Sequence, residues 1–249
     1  MKFLAIALIF AVSTAQAEWK TETDLGLVSQ SGNTKQDNTL LQTKMTKASD
    51  KNEYTLHGQY INSAGTTGGV DVRLAESAQA GLKYTRTVSE KLGVFSAALW
   101  EKNHFAGFEN RYSGDLGLKY SFTKTEDFYL FNETGYRYRA QYASVVGPGQ
   151  GDKVEAHFGR IYFEMGKNLN ATSNFKLWVE TLIDSEDSEN IEVNFEPSID
   201  VALGEFFSSE KPARVSLKVA YKGMYDNVPA IKGYKKFDSI LSTGIKVVY

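Results

Sequence analysis

The side chains able to do chemistry in this sequence are few in kind. It has three histidines, His57, His104 and His157, and no cysteine, which excludes thiol catalysis, disulfides and cysteine metal sites together. A serine hydrolase would need a serine and an orienting polar group beside one of those imidazoles. No Gly-x-Ser-x-Gly elbow is present, and the histidines read as isolated wall residues. The acidic run from Asp184 to Asn190 has oxygen ligands for a divalent cation but lacks the glycine and distal glutamate of an EF-hand loop, so it reads as a solvated hairpin. Gly147 to Gly151 is followed by no Lys-Ser/Thr pair and is no phosphate loop. No catalytic residue, cofactor or metal site is expected.

What remains is charge repeated at even spacing. Asp115 and Lys119, then Glu133, Arg137 and Arg139, then Glu180 and Asp184, then Glu192, Glu196 and Asp200, then Lys218 and Lys222, and finally Lys246 each fall on alternate positions of a local run. Even spacing puts such residues on one face of an extended strand. Glu180, Asp184, Glu192, Glu196 and Asp200 then form an acidic wall, and Arg137, Arg139, Lys218, Lys222 and Lys246 form basic ones. Facing walls of opposite sign either set a transverse field across a water-filled pore or pair and cross-link an interior shut.

The elements that carry these charges are strands. From Glu18 onward twelve alternating segments recur between polar, Gly- or Asn-containing turns: about Trp19–Val28, Asn38–Lys47, Tyr54–Asn62, Glu76–Val88, Leu92–Glu101, Tyr112–Phe122, Phe128–Arg139, Glu155–Gly166, Phe175–Asp184, Ile191–Leu203, Arg214–Tyr225 and Tyr234–Tyr249. A Gly-rich connection, Gly65 to Asp71, is expected after the third. Alternation breaks near Arg160, which suggests a bulge. Pro197 lacks a ladder donor and interrupts the tenth.

Residues 1–17 read as a cleaved secretory signal: Lys2, an apolar run from Phe3 to Val12, and the small-x-small site Ala15-Gln16-Ala17. That run is too short to cross a hydrocarbon layer of about 30 Å as a helix, and no longer one follows. A net charge of −2 fits no nucleic-acid partner. Mean hydropathy of −0.35 looks soluble, yet a barrel shows lipid only half of each strand, so hydropathy decides nothing here.

Strand length and aromatic placement do decide. The alternation persists for about ten residues at a time, as a tilted membrane strand requires, whereas soluble strands cluster near five or six. Tyr112 and Phe122, and likewise Phe128 and Tyr138, bracket one oily face. At about 3.3 Å per residue and a tilt near 40° they stand roughly 25 Å apart, the height of an outer-membrane apolar band. Lys or Arg costs about 2–4 kcal/mol at the lipid midplane, so the charged faces must point inward. The fold expected is all-β: one transmembrane antiparallel up-and-down β-barrel of about twelve strands over residues 18–249. The ending, with Gly244, Val247 and the terminal Tyr249, is similar to the C-terminal signature of bacterial outer-membrane barrels that the assembly machinery reads. The location expected is therefore the outer membrane of a Gram-negative bacterium, with outer-membrane lipid, lipopolysaccharide and the barrel-assembly machinery as partners.

Ser31-Gly32-Asn33-Thr34, Asn103, Phe105 and Arg111, Gly117-Leu118-Lys119-Tyr120 and Glu133-Thr134-Gly135-Tyr136-Arg137, in this order and spacing, resemble the YdiY-like family of salt-induced outer-membrane proteins, a domain of unknown function numbered 481. Glu109-Asn110 precedes Arg111 where the family pattern has an aspartate. The resemblance implies a closed outer-membrane barrel and a link to salt stress, with no catalytic residues to carry over. The function expected is a narrow passive pore for ions or small polar solutes. A structural barrel with a sealed, salt-bridged lumen and an outer-membrane hydrolase are the alternatives.

Overall fold

In the computed structural model, residues 19–30, 35–67, 70–103, 106–143, 152–206, 212–228 and 236–249 are described. Residues 1–17, read above as a signal, and His104 lie outside them. The twelve strands are β1 (Lys20–Gln30), β2 (Lys35–Ala48), β3 (Asn52–Thr67), β4 (Val70–Thr87), β5 (Leu92–Asn103), β6 (Phe108–Lys124), β7 (Phe128–Ala143), β8 (Lys153–Asn168), β9 (Ser173–Asp184), β10 (Ile191–Phe206), β11 (Ala213–Asp226) and β12 (Phe237–Val248). Each is antiparallel to its chain neighbours, and β12 returns to β1, so the sheet closes into a barrel.

The polarity is inverted relative to a water-soluble protein. On the outer wall Leu241 is 65% exposed and Leu116 64%, while Glu133 on the inner wall is 0% exposed. Asp115, Arg137, Arg139, Arg160 and Asp200 are buried with it. A closed sheet with an alkyl exterior and an ionic interior is stable only with lipid as its outer solvent, so the molecule is a transmembrane barrel. Aromatic pairs mark both ends of the apolar band. Tyr54 lies opposite Tyr84, with rings 5.1 Å apart, toward the rim that carries the chain termini. Trp100 lies opposite Tyr112, and Tyr225 opposite Phe237, toward the other rim.

Three details differ from the strand reading or refine it. The Gly65–Asp71 connection is largely strand: β3 and β4 stay paired up to Thr67 and Val70, with a register shift between Ser63 and Ala64. The β-branched Thr66, Thr67, Val70 and Val72 favour extended backbone there. No bulge falls at Arg160, because β8 keeps uninterrupted register with both β7 and β9. The broken alternation arises because Phe158 and Tyr162 point into the lumen beside Arg160, while Ile161 and Phe163 face outward. A true shift lies in β10 between Ala202 and Gly204, where Gly204 has φ of +153°, a conformation that L side chains rarely adopt. Pro197 leaves a gap in the β10–β11 ladder between Phe195↔Gly223 and Ser198↔Ala220, while register is kept.

The closing seam is the shortest ladder. β1 and β12 pair from Glu22↔Val248 to Gly26↔Gly244, and Tyr249 adds two backbone bonds with Thr21 at 2.9 and 3.1 Å. Gly26 and Gly244 face each other inside the barrel, and a Cβ on Gly244 would lie 2.3 Å from the Leu25 carbonyl oxygen, so the wall bends tightly at this point.

Since Leu116 sits midway along the outward band of β6, Leu116→Arg is expected to lower stability in lipid vesicles by about 2–4 kcal/mol. Equilibrium denaturant unfolding in vesicles measures it. An unchanged midpoint would mean that this face does not meet the hydrocarbon.

Candidate functional site

The pleat and the cyclic register bring the alternating charges to one interior. A cavity of about 1570 Å³ occupies the barrel interior, lined by Glu53, Glu126 and Asn168 at the terminal rim and by Asn103, Asp226 and Asp238 at the loop rim. Its walls are chemically unlike one another.

The heart of the charged wall is a knot across β4 and β6–β9. Arg137 donates two parallel bonds to Asp115, at 2.7 and 2.8 Å, and a further one to Glu180 at 3.1 Å. Arg160 donates to Glu180 at 2.7 Å and to Glu133 at 3.1 Å. Glu133 is also held by Lys83, which reaches over from β4. Three cations thus face three carboxylates. The bidentate fork is the geometry that best repays desolvation of both partners. Phe95 lies under both Arg160 and Lys83, with centroid distances of 5.4 and 5.0 Å. Its ring edge in turn sits where a Cβ on Gly117 would be, 2.7 Å away, so the cluster needs a glycine on β6.

Toward the loop rim Arg139 clamps Glu192 at 2.5 and 2.9 Å and lies 4.5 Å over the Phe158 ring. Arg111 bonds Gln141 at 2.9 and 2.7 Å, with Glu101 at 3.9 Å. A third group spans the seam: Lys218 meets Asp24 at 2.6 Å and Glu196 at 3.8 Å, and Lys246 meets Asp200 at 3.1 Å and Glu22 at 3.3 Å. Toward the terminal rim Glu164 accepts from Tyr129 at 2.9 Å and Tyr162 at 2.5 Å and pairs with Lys176 at 3.2 Å. These tyrosines continue an inward aromatic shelf in which Phe131–Tyr162 and Tyr162–Trp178 centroids are 6.0 and 6.2 Å apart. The opposite wall is neutral: Gln42, Gln59 and Gln79 stand directly opposite one another across β2, β3 and β4.

The structure thus brings Asp115, Glu133, Arg137, Arg139, Glu180, Glu192, Glu196, Asp200, Lys218 and Lys246 into pairs. Lys119 lies 4.1 Å from the Phe131 centroid, and Lys222 lines the cavity. Asp184 does something else. It caps its hairpin, accepting from the Glu186 amide at 2.9 Å and from Asn190 at 3.0 Å. Among the described residues no group of three or more potential ligands is placed to hold a metal ion. His57 lies inward with its ring against Gly81. His157 faces outward between Tyr136 and Tyr138, with ring centroids 5.9 and 5.6 Å away.

Lys83, Arg160 and Glu164 are outside the expected lumen set although each is central to a cluster. Inward Phe95, Phe158, Tyr162 and Trp178 disguise the polar face of their strands, and only a full facial assignment of β5, β8 and β9 would have exposed it.

Fold and interior together define a transmembrane β-barrel with a salt-bridged lumen. The chain belongs to the family described as "Protein of unknown function, DUF481", whose model matches residues 23–249. No curated protein matches it. Among solved structures it is similar to the NanC porin, with 10% identity, 92% of this chain and 97% of that chain covered, and a TM-score of 0.46. The translocator domain of the autotransporter NalP from Neisseria meningitidis gives 14%, 100%, 95% and 0.47. The KdgM porin gives 8%, 93%, 98% and 0.43.

Glu133→Ala strands Lys83 and Arg160 without their carboxylate and is expected to destabilise the barrel by about 3 kcal/mol. Replacing the three together with apolar residues should restore much of that loss. Thermal or denaturant unfolding of both variants checks it, and a stable Glu133→Ala protein would show that lumen water, not pairing, carries these charges.

Proposed function

We propose that this protein is a narrow passive pore of a bacterial outer membrane, conducting ions or small polar solutes. The observation that carries the reading is a cavity lined by residues of both rims, with most of the interior charges drawn into pairs along the walls. Ion pairs hold the lumen polar and hydrated without a plug of apolar side chains. The link to salt stress implied by the family resemblance belongs to this reading, since a passage for ions is an envelope element that external salt acts on directly.

A second reading, a structural barrel with a closed lumen, is favoured by the reach of the pairs. Lys83–Glu133 and Arg139–Glu192 each join strands three apart in the cylinder and tie its wall together from inside. Purified protein in planar bilayers separates the two. Discrete conductance steps are expected, and silence over a wide range of salt leaves the closed barrel.

For biogenesis, the terminal strand is the segment we assign to the assembly machinery, with Gly244, Val247 and Tyr249 at the seam and outer-membrane lipid and lipopolysaccharide around the finished barrel. Deleting Val248 and Tyr249 removes the last bonds to Thr21 and is expected to slow assembly in cells. The heat-modifiable mobility of the folded barrel on gels reports it, and normal accumulation of folded protein would count against the assignment.

A further inference from the structure

Ten inward carboxylates among the described residues have a lysine or arginine nitrogen within 4 Å, namely Glu22, Asp24, Glu101, Asp115, Glu133, Glu164, Glu180, Glu192, Glu196 and Asp200, while Asp226, opposite Glu192 at the loop rim, has none. The inward cations are not all matched. Lys44, Lys119 and Lys222 line the cavity, and among the described residues no carboxylate lies within that distance of them. Their positions are spread along the passage. Lys222 lies near the loop end of β11, while Lys44 and Lys119 lie toward the terminal ends of β2 and β6.

For Lys119 and Lys44 the neighbouring carboxylates are already taken. Lys119 stands directly opposite Glu133, but that carboxylate is already taken by Lys83 and Arg160, and the Lys119 ammonium rests 4.1 Å from the Phe131 ring centroid instead. Lys44 stands between Glu22 on β1 and His57 on β3, but Glu22 is already taken by Lys20 at 2.8 Å and Lys246 at 3.3 Å, and across the lumen Lys44 looks toward Lys176 and Glu164. Glu164 is saturated by Lys176 and two tyrosine hydroxyls. The whole chain carries a net charge of −2, yet between the rims the ten inward carboxylates share eight paired lysines and arginines, and these three lysines turn the balance there to +1. In a narrow low-dielectric tube such charges focus the field and raise the local concentration of the opposite ion.

We propose that the lumen selects small anions over cations, with Lys44, Lys119 and Lys222 as the selectivity-determining residues. The proposal rests on the pore reading above and names its substrate class. An anion entering at either rim meets an ammonium without having to break an ion pair, whereas a cation finds each of those carboxylates between the rims already in contact with a lysine or arginine.

The test is the reversal potential of the full-length barrel in planar bilayers under a potassium chloride gradient, for wild type and for the triple variant Lys44→Gln, Lys119→Gln, Lys222→Gln. Wild type should show a chloride-to-potassium permeability ratio above one, and the triple variant a ratio reduced to one or below. The corresponding triple Lys→Arg variant should keep the wild-type preference, and heat-modifiable gel mobility confirms that each variant is folded. Conductance with a cation preference in wild type, or an unchanged ratio in the folded glutamine variant, overturns the proposal and leaves the pore standing. Complete absence of conductance removes the pore itself and this proposal with it.

Discussion

Hydrocarbon offers no partner to a peptide N–H or C=O, and that constraint orders everything else in this molecule. A sheet can meet it only by closing, so twelve strands must join end to end and the last must find the first. Closure then sorts the side chains. Those on the outside contact lipid and are leucine, isoleucine, valine and aromatic residues. Those on the inside inherit every charge the sequence contains at alternate positions, and they must reach an accommodation with one another in a confined space.

The accommodation is pairing across strands. Opposite charges near 3 Å gain far more in a confined, partly dehydrated lumen than at a free surface, but each also loses hydration, so the balance depends on geometry. Arg137 and Arg160 resolve it with forked donors that each serve two carboxylates. Aromatic rings complete the shell on the same side of the barrel, where Phe95, Phe158 and Tyr162 lie beneath guanidinium groups. The amide row on β2–β4 stays neutral and asks for no such compensation. One flank of the tube is therefore a bonded lattice of charge, and the other sets a row of amides beside the Lys44 ammonium.

Strand number, closure and the inside-out polarity were legible because period-two alternation is a direct imprint of the pleat. Asp115, Glu133, Arg137, Arg139 and Lys246 sit on faces that simple counting assigns correctly. Partnership was not legible. Lys83 meets Glu133 because strand tilt and the cyclic register stack residues from strands three apart, and no local pattern encodes that stagger. Arg160 was obscured for another reason: its inward neighbours Phe158 and Tyr162 are large and oily, so their strand looks bulged when it is regular. Asp184 kept its face but took a turn-capping role that the Asn190 amide, six residues later, provides.

The short seam between β1 and β12 has a mechanical meaning. A tube whose wall is continuous resists twisting strongly, while one joined along only part of its length shears easily on that line. Backbone pairing here stops at Gly26 and Gly244 although both strands run on toward the loop rim. Torsion applied by the surrounding bilayer would therefore concentrate beside this slit, and the loop-side mouth would ovalise before the terminal mouth does.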